Sequence, residues 1–408
     1  MTPRDVSVAF LAPTPFYTEG GASTRILGEA RGLRTLGVGV RVFTYPSGRD
    51  WPGIETLRPR RTSRVMRIGF HPLRPQYDLE LLRLMLVRGI RPSEVLHVFL
   101  HEGACLGNLH RKLTSRPFVL DLQGSLSEEL GRTFPFARSR LGGAVIRRLE
   151  VALERSAAQV IVSSPGLYRI LQSRGHIPLD RLHLIADGVS VDDFILGKTR
   201  DPDRRKRWRA KLGFSESDVI AIYAGGLSPE QGIDDVIALA PRMIKDSPRL
   251  RFLLYGTPTQ LHSAGEYATK VHRSGLEDRV KMPGPIRYEL LPEALNGADI
   301  ALTWKHGPPE EANGKIPAYM AAGLPTVTLR LPVSEYYLGR EGERGGVIAE
   351  TVLEAADAVV ALASDPSRRT SLGRQARLAA EERLSLTSVG RQILGVYEKL
   401  ETPSNPKT

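Results

Sequence analysis

Short apolar segments alternate with helix-patterned segments along this chain, and the alternation runs twice. In the first half, Val6–Leu11 is an apolar run, and apolar side chains then recur at helical spacing from Ala22 to Leu36. In the second half, a strand-like run over Asp218–Tyr223 precedes a helical pattern over Ile233–Ile244. Strands that alternate with helices at this spacing predict a parallel sheet covered on both faces. We therefore predict an α/β protein with two tandem Rossmann-like domains facing a cleft.

A polar stretch separates the two halves. Residues Gly197–Arg205 read GKTRDPDRR, which we interpret as a linker. The predicted boundaries are residues 1–195 for the first domain, 196–384 for the second, and 385–408 for a final helix and tail. In open α/β sheets the ligand binds at the carboxyl ends of the strands, so the cleft is the expected site.

Composition excludes several classes of protein. The chain has 408 residues, 41% of them hydrophobic, and one cysteine, Cys105. Sizeable cores are therefore expected, but no internal disulfide and no cysteine-rich zinc site. No apolar run reaches the roughly 18 residues of a transmembrane helix, and the N-terminal run is too short for a signal peptide. We expect a cytoplasmic protein.

Basic residues exceed acidic ones by 57 to 45, a net charge of +12. This surplus favours anionic partners, and part of it lies in a cluster that comprises Arg58, Arg60, Arg61, Arg64 and Arg67. An anionic leaflet attracts such residues by about 1 kcal/mol each, which predicts peripheral association with the inner membrane; an ordinary solvated loop is the alternative. Few aromatic residues accompany the cluster, and we predict no nucleic-acid binding.

Three loops have the composition of anion sites. Gly20-Gly21 and Gly225-Gly226 each follow the first strand of a half and precede its first helix, where backbone amides can approach a phosphate; an ordinary turn is the alternative. The third is the segment Glu310–Pro325, in which Lys315 adds a cation near a helix start. A charged loop that caps a short helix would have the same sequence pattern and is the alternative.

The run Asn313–Val327 resembles the donor-site segment of the retaining, GT-B-fold glycosyltransferases of family 4-like, group 1 type. Tyr223–Asp234, Asp187–Val189 and Gly20-Gly21 agree with that family in order and spacing. The resemblance implies a nucleotide-diphospho-sugar donor held mainly by the second domain and a saccharide or lipid-linked acceptor held mainly by the first. It also implies retention, no metal and no cofactor, and a last helix, about Ser385–Leu400, that crosses back to the first domain.

By this resemblance we assign candidate residues to two roles. The predicted catalytic residues are Lys315, Glu310, His101 and Gln123, and the predicted donor-binding residues are Gly20, Gly21, Arg25, Gly225, Gly226, Glu311, Asn313 and Gly314. Gln123 stands where the family often has a histidine, and His101 is a substitute near the cleft, although a lone histidine is more often structural.

Three positions depart from the family pattern. The second glutamate of its E-x7-E pair is replaced by Ala318, and an arginine and a lysine of the second-domain loop are replaced by Gly226 and Gln231. One preorganised donor is worth about 3–4 kcal/mol in a transition state, so Lys315 and Arg25 are the cations expected to compensate. Two alternatives stay open: a silent GT-B protein that binds a partner enzyme or carbohydrate, and another two-domain protein such as a sugar-nucleotide epimerase or a periplasmic-type binding protein.

Overall fold

The computed structural model describes residues 7–59, 74–194, 202–257 and 264–401. The chain divides into two compact units. The first comprises residues 1–188, 310–312 and 386–408, and the second comprises residues 189–309 and 313–385. None of the helices within the described ranges is both long enough and apolar enough to cross a bilayer.

The first unit alternates strands and helices. Its elements up to residue 188 are β1 (Ser7–Ala12), α1 (Gly21–Thr35), β2 (Gly39–Thr44), β3 (Glu55–Leu57), α2 (Arg74–Arg88), β4 (Glu94–Phe99), α3 (Leu100–Thr114), β5 (Phe118–Leu122), α4 (Leu126–Thr133), α5 (Pro135–Arg138), α6 (Arg140–Ser156), β6 (Gln159–Val162), α7 (Pro165–Arg174) and β7 (Leu182–Leu184). The strands form one parallel sheet in the order β3-β2-β1-β4-β5-β6-β7.

The second unit repeats this plan. Its elements are α8 (Pro202–Lys211), β8 (Val219–Ala224), α9 (Ile233–Asp246), β9 (Leu250–Tyr255), α10 (Ala264–Arg273), β10 (Val280–Gly284), α11 (Leu291–Gly297), β11 (Ile300–Thr303), α12 (Lys315–Ala321), β12 (Thr326–Leu329), α13 (Pro332–Leu338), β13 (Gly346–Ala349), α14 (Val352–Ser364) and α15 (Pro366–Arg383). The sheet is again parallel, in the order β10-β9-β8-β11-β12-β13.

Both sheets have the doubly wound strand order, which confirms the predicted α/β class with two Rossmann-like domains. The apolar runs become strands because both faces of each sheet are covered. In β1, for example, every residue from Val8 to Ala12 is buried. Strand order reverses between β1 and β4 in the first sheet and between β8 and β11 in the second. These two switch points are where such sheets bind ligands.

The predicted linker is wrong at its C-terminal end. Residues 202–205 of the segment form the start of α8, and residues 195–201 lie outside the described ranges. Arg205 and Arg209 both bond the Asp299 carboxylate, each at 2.5 Å, and Trp208 packs so closely on Gly297 that a Cβ there would lie 2.1 Å from the ring. Ion pairs to Asp299 hold this helix in place. It does not depend on an apolar face, and its sequence therefore shows no amphipathic periodicity.

The last helix, α16 (Leu386–Glu401), belongs to the first unit and packs on α1. The two backbones approach closely: a Cβ on Gly32 would lie 2.5 Å from the Leu386 carbonyl oxygen, and one on Gly390 would lie 2.6 Å from that of Gly32. Glycine is needed at both positions because any side chain would separate the helices. Further along α16, the Tyr397 hydroxyl lies 2.7 Å from His97 Nδ1, on β4.

Candidate functional site

The switch point of the second sheet gathers the predicted donor-binding residues Gly225 and Gly226 and the predicted catalytic residue Lys315. Gly225 and Gly226 directly follow β8, and Lys315 is the first residue of α12. Because β8 and β11 are neighbours in the sheet, the loops after them lie side by side. This edge of the second unit is the candidate site.

The Lys315 side chain is positioned by two partners. Its Nζ donates a hydrogen bond to Gln231 Oε1 at 2.7 Å and lies 5.4 Å from the centroid of the Tyr223 ring. The second distance is that of a cation–π contact. Lys315 is half-buried, so part of its side chain is open to solvent.

Gly225 is required by the packing around this lysine. A Cβ at residue 225 would lie 2.9 Å from both Lys315 Cδ and Tyr223 Oη. The Tyr223 hydroxyl donates to the Gly226 carbonyl at 2.5 Å, and burial raises its pKa well above the usual range. Tyr223 therefore stays neutral and holds the glycine turn against the lysine.

Helix α12 is fastened to β8 by a second tyrosine. The backbone N–H of Ala224 donates to Tyr319 Oη at 2.9 Å. Tyr319 follows Lys315 by four residues, so the two side chains lie on the same face of the helix. Ala318, which replaces the family's carboxylate, is buried beside them. Tyr319 was missed in the sequence analysis, where it was read only as part of a motif.

Asn313 anchors the loop that precedes α12. Its side chain is buried, and Nδ2 donates to Thr303 Oγ1 at 2.8 Å. Its Oδ1 is also buried and has no hydrogen-bond partner among the described residues. Gly314, next in the chain, is the exposed N-cap of α12. Asn313 thus connects the end of β11 to the start of the lysine-bearing helix.

The loop that carries Gln231 is joined to the loop after β11. The His306 N–H donates to the Glu230 carbonyl at 3.0 Å. Gly232 has a φ of +76°, and a Cβ there would lie 2.1 Å from the Trp304 carbonyl oxygen. This backbone conformation favours glycine. It turns the chain so that Gln231 faces Lys315.

In the first unit, Arg25 is the centre of a buried ionic network. Its guanidinium binds both carboxylate oxygens of Asp121, at 2.8 and 2.5 Å, and lies 2.9 Å from Asp187 and from Glu29. Burial alone would lower the pKa of Arg25, but the Asp121 and Glu29 carboxylates raise it above its ordinary value. Burial also raises the pKa of Glu29 well above its usual range. Because its donors are used inside this unit, Arg25 is not part of the site proposed below.

His97 lies against this network and is kept neutral by its burial. Its Nε2 is 3.8 Å from Glu29 Oε2, and burial lowers the pKa of His97 to about 4. An unfolded histidine titrates near 6.5. Between these values the unfolded chain holds the extra proton, so the free energy of unfolding falls as the pH is lowered through this window.

We expect His97→Gln to remove this pH dependence. On going from pH 7 to pH 5, the free energy of unfolding of the wild type should fall by about 2 kcal/mol more than that of the variant. Urea unfolding at the two pH values measures the difference. His272→Gln changes a largely exposed histidine and should behave like the wild type. Parallel pH dependence of wild type and His97→Gln would contradict the assignment.

His101 occupies a second buried cluster, in the first turn of α3. Its Nε2 lies 3.5 Å from Glu154 Oε1 and 3.8 Å from Glu150 Oε1, and Glu154 also pairs with His176. Burial alone would raise the pKa of Glu150, but the hydroxyls of Ser125 and Ser127 lower it. His101 is thus placed among carboxylates of α6.

Two groups among the described residues have metal-ligand geometry. They are Glu29, His97 and Asp121, and His101, Glu150 and Glu154, with ligand atoms within 4.8 Å of one another in each group. In the first, the Arg25 guanidinium lies 2.9 Å from Glu29 and 2.5 Å from Asp121. In the second, Glu150 accepts from two serines and from Arg174 at 3.2 Å. Glu150 therefore has hydrogen-bond donors of its own, whereas neither side-chain oxygen of Glu29 has a hydrogen-bond partner among the described residues.

The other predicted residues of the first unit lie near strand ends. Gly20 is the extended N-cap of α1, and Gly21 is its first residue, with open space where a Cβ would lie. Gln123 follows β5, and its buried Nε2 has no hydrogen-bond partner among the described residues. Glu310 and Glu311 belong to the short segment that groups with the first unit; Glu310 is buried, and its carbonyl accepts from the Ser164 hydroxyl.

Only one residue of the predicted membrane-contact cluster falls within the described ranges. Arg58 pairs with Asp50 and donates to the carbonyls of Phe16 and Arg49, at 2.5 and 2.9 Å. Its charge is therefore used within the first unit. The remaining predicted contacts, Arg60, Arg61, Arg64 and Arg67, lie outside the described residues.

Two family models match most of the chain. Residues 20–188 match the glycosyl transferase 4-like domain, and residues 204–379 match the glycosyl transferases group 1. The D-inositol 3-phosphate glycosyltransferase of Xylanimonas cellulosilytica is 28% identical over 401 residues, which cover 93% of this chain and 91% of that protein. A GDP-mannose-dependent monoacylated alpha-(1-6)-phosphatidylinositol monomannoside mannosyltransferase of Corynebacterium glutamicum is 25% identical over 52% of this chain and 55% of its own.

Solved structures share the fold over the whole length. HepE of Anabaena, solved in complex with UDP and glucose, has a TM-score of 0.73 at 18% identity and covers 96% of this chain and 99% of its own. Sucrose-phosphate synthase of Thermosynechococcus elongatus has a TM-score of 0.75 at 17% identity, with 97% and 98% covered. With both halves matched in sequence and in fold, the chain belongs to the GT-B-fold glycosyltransferases of the group 1, glycosyl transferase 4-like family.

Proposed function

We propose that this glycosyltransferase transfers a sugar from a nucleotide-diphospho-sugar to a hydroxyl of a saccharide or lipid-linked acceptor, with retention and without a metal ion. The observation that carries the proposal is the Lys315 ammonium group, held by Gln231 and Tyr223 at the switch point of the second sheet. HepE, which has the same fold, is solved with UDP-glucose as well as with UDP. The lipid-linked part of the acceptor class is supported by the phosphatidylinositol mannoside that the Corynebacterium relative is named for.

The chemistry explains why one well-placed cation matters. The bond between the anomeric carbon and the diphosphate oxygen breaks, and the acceptor oxygen forms the new bond to that carbon. The proton of the acceptor hydroxyl passes to the leaving diphosphate. The leaving nucleoside diphosphate gains negative charge as its bond breaks, so a preorganised cation stabilises the transition state more than the ground state. Lys315 takes this role in the proposal, with Gln231 as a neutral side chain that orients it.

Nucleotide-dependent thermal stabilisation tests the donor class. The chain is heated with UDP, GDP, ADP or dTDP, and with their common sugar conjugates, in buffer that contains EDTA. A nucleotide at about 100 times its Kd should stabilise the protein by about 2.7 kcal/mol and raise its Tm by several degrees. A shift with one base that persists in EDTA supports both the donor class and metal independence. A shift that appears only when Mg²⁺ is added would contradict the latter.

Peripheral localisation at the inner membrane, through Arg60, Arg61, Arg64 and Arg67, and a role in cell-envelope polysaccharide biosynthesis complete the proposal. The net charge of +12 supports an anionic partner. WaaG, a glycosyltransferase involved in lipopolysaccharide biosynthesis, shares the fold with a TM-score of 0.70. Flotation with anionic liposomes tests the membrane contact, and loss of binding after Arg60, Arg61, Arg64 and Arg67 are replaced by glutamine would support this cluster.

A further inference from the structure

Two carboxylates and a histidine come together inside the first unit, between α3 and α6. Glu150 and Glu154 lie one turn apart on α6, and both side chains are buried. His101 is in the first turn of α3. One ligand atom from each of the three residues lies within 4.8 Å of the other two. This group, which we call the α3–α6 cluster, therefore has the dimensions of a metal site.

The distances at His101 fit shared coordination of an ion better than hydrogen bonding. Its Nε2 atom lies 3.5 Å from Glu154 Oε1 and 3.8 Å from Glu150 Oε1, beyond the roughly 2.7–3.2 Å of an N–H···O bond. Nε2 has no hydrogen-bond partner among the described residues, although the side chain is only 8% exposed. Ligand atoms held about 2.0–2.2 Å from a tetrahedral ion lie about 3.3–3.6 Å apart. An ion of that size fits between the three groups.

Both carboxylates are oriented by further side chains. Glu150 Oε1 accepts a hydrogen bond from the Ser125 hydroxyl at 2.7 Å, and its Oε2 accepts one from the Ser127 hydroxyl at 2.8 Å. His176 Nε2 contacts Oε2 of Glu154, which is not the oxygen that approaches the cluster's histidine. Carboxylates that bind metals are typically held by hydrogen bonds of this kind.

The charges of the cluster favour a cation. With both histidines neutral, Glu150 and Glu154 are balanced only in part by Arg174, which lies 3.2 Å from Glu150 Oε2. A buried charge without compensation is costly, and a divalent ion would compensate it. A protonated His101 would do the same, but we would then expect its Nε2 to donate to one carboxylate at hydrogen-bond distance.

We propose that the α3–α6 cluster binds one Zn²⁺ ion, with His101 Nε2, Glu150 Oε1 and Glu154 Oε1 as protein ligands and a water molecule in the fourth position. One nitrogen and two carboxylate oxygens suit zinc, whereas Mg²⁺ and Ca²⁺ prefer oxygen ligands alone. The ion joins α3 to α6 and is structural. No step of the proposed sugar transfer involves it, and the inference does not rest on that proposal.

Metal analysis of the full chain tests the proposal. The chain, without a histidine tag, is produced in medium that contains Zn²⁺ and is passed over a chelating resin, which removes loosely bound ions. We expect one zinc ion per chain by plasma mass spectrometry, and a Tm that falls by about 5 °C when EDTA is added. His101→Gln can still donate to the carboxylates and should fold, but it should retain at most about a tenth of the zinc.

The matched control is His97→Gln, which also replaces a buried histidine beside two carboxylates and should keep the full zinc content. His176→Phe removes the contact to Glu154 but leaves all three ligands, so the affinity for zinc should fall about 10–100-fold.

A cobalt spectrum of the wild type gives a readout that does not depend on the folding of any variant. Co²⁺ in place of zinc should show the strong visible absorption of a tetrahedral ion, and Zn²⁺ should displace it. Zinc-free wild-type protein, full zinc content in His101→Gln, loss of zinc from folded His97→Gln, or the weak absorption of octahedral Co²⁺ would each overturn the proposal.

Discussion

Replacing Lys315 with alanine is expected to lower donor turnover, measured as kcat/KM for release of the nucleoside diphosphate, by about 10²–10³-fold. One preorganised donor is worth that much in an oxyanion-stabilising site. Here the effect should reach the upper end of the range because Gly226 and Gln231 replace the basic residues of the family pattern. Among the residues gathered at the switch point of the second sheet, Lys315 is the one that brings a cation to the glycine turn after β8.

The control is Lys245→Ala, which removes an exposed lysine from α9 and should leave turnover unchanged. A second measurement separates binding of the diphosphate from damage to the fold. Lys315→Ala should weaken binding of the nucleoside diphosphate and leave binding of the corresponding nucleoside unaltered. Wild-type turnover in Lys315→Ala would remove this residue from the site and, with it, the principal support for the proposed donor chemistry.

Replacing Arg25 with methionine is expected to destabilise the protein by about 3–5 kcal/mol at pH 7. Removing one partner of a buried ion pair leaves an uncompensated charge, and here Asp121, Asp187 and Glu29 would all lose their shared cation. Burial already raises the pKa of Glu29 and of Asp187 in the intact network. The pKa of each carboxyl should rise further in the variant.

The sign of the pH effect follows from those raised pKa values. A carboxyl whose pKa is higher in the folded state favours folding at low pH, and that contribution is lost as the pH rises. The deficit of Arg25→Met relative to wild type should therefore shrink between pH 7 and pH 5 in urea unfolding. Arg34→Met, an exposed substitution on the same helix, should stay within about 0.5 kcal/mol of wild type. A small, pH-independent deficit in Arg25→Met would show that the network is not buried as described.

Strands of the central sheets were predictable because they are short, apolar and bounded by turns. The strand predicted over Val6–Leu11 is observed at Ser7–Ala12, and the strand predicted over Asp218–Tyr223 is observed at Val219–Ala224. Helix α8 was not predicted, since its first residues were interpreted as part of a linker. In α8 the reason is plain: arginines anchored on Asp299 fix the helix, and side-chain partners about 90 residues away leave no periodic trace.

Prediction of the site was limited in the same way, because interacting side chains lie far apart in the sequence. Gly225 and Lys315 were predicted from local composition, because a glycine turn after a strand and a lysine near a helix start have recognisable patterns. That Gln231 would accept a hydrogen bond from Lys315, 84 residues later, could not be read from the sequence. The partners of Arg25 could not be read from the sequence either, since Asp121 and Asp187 lie 96 and 162 residues away.

The packing of α16 on α1 has a consequence for how the chain is made. Domains usually fold in order as they leave the ribosome, the N-terminal one first. Here the first Rossmann-like sheet is synthesised early. Gly32 packs on Leu386, and His97 contacts Tyr397. Both partners are synthesised only after the entire second unit. The nascent first domain therefore remains incomplete until the second unit has been translated. A fragment that ends at the apparent domain boundary would lack α16, the helix that packs on α1. A separate peptide of residues 386–401 would supply this helix in trans.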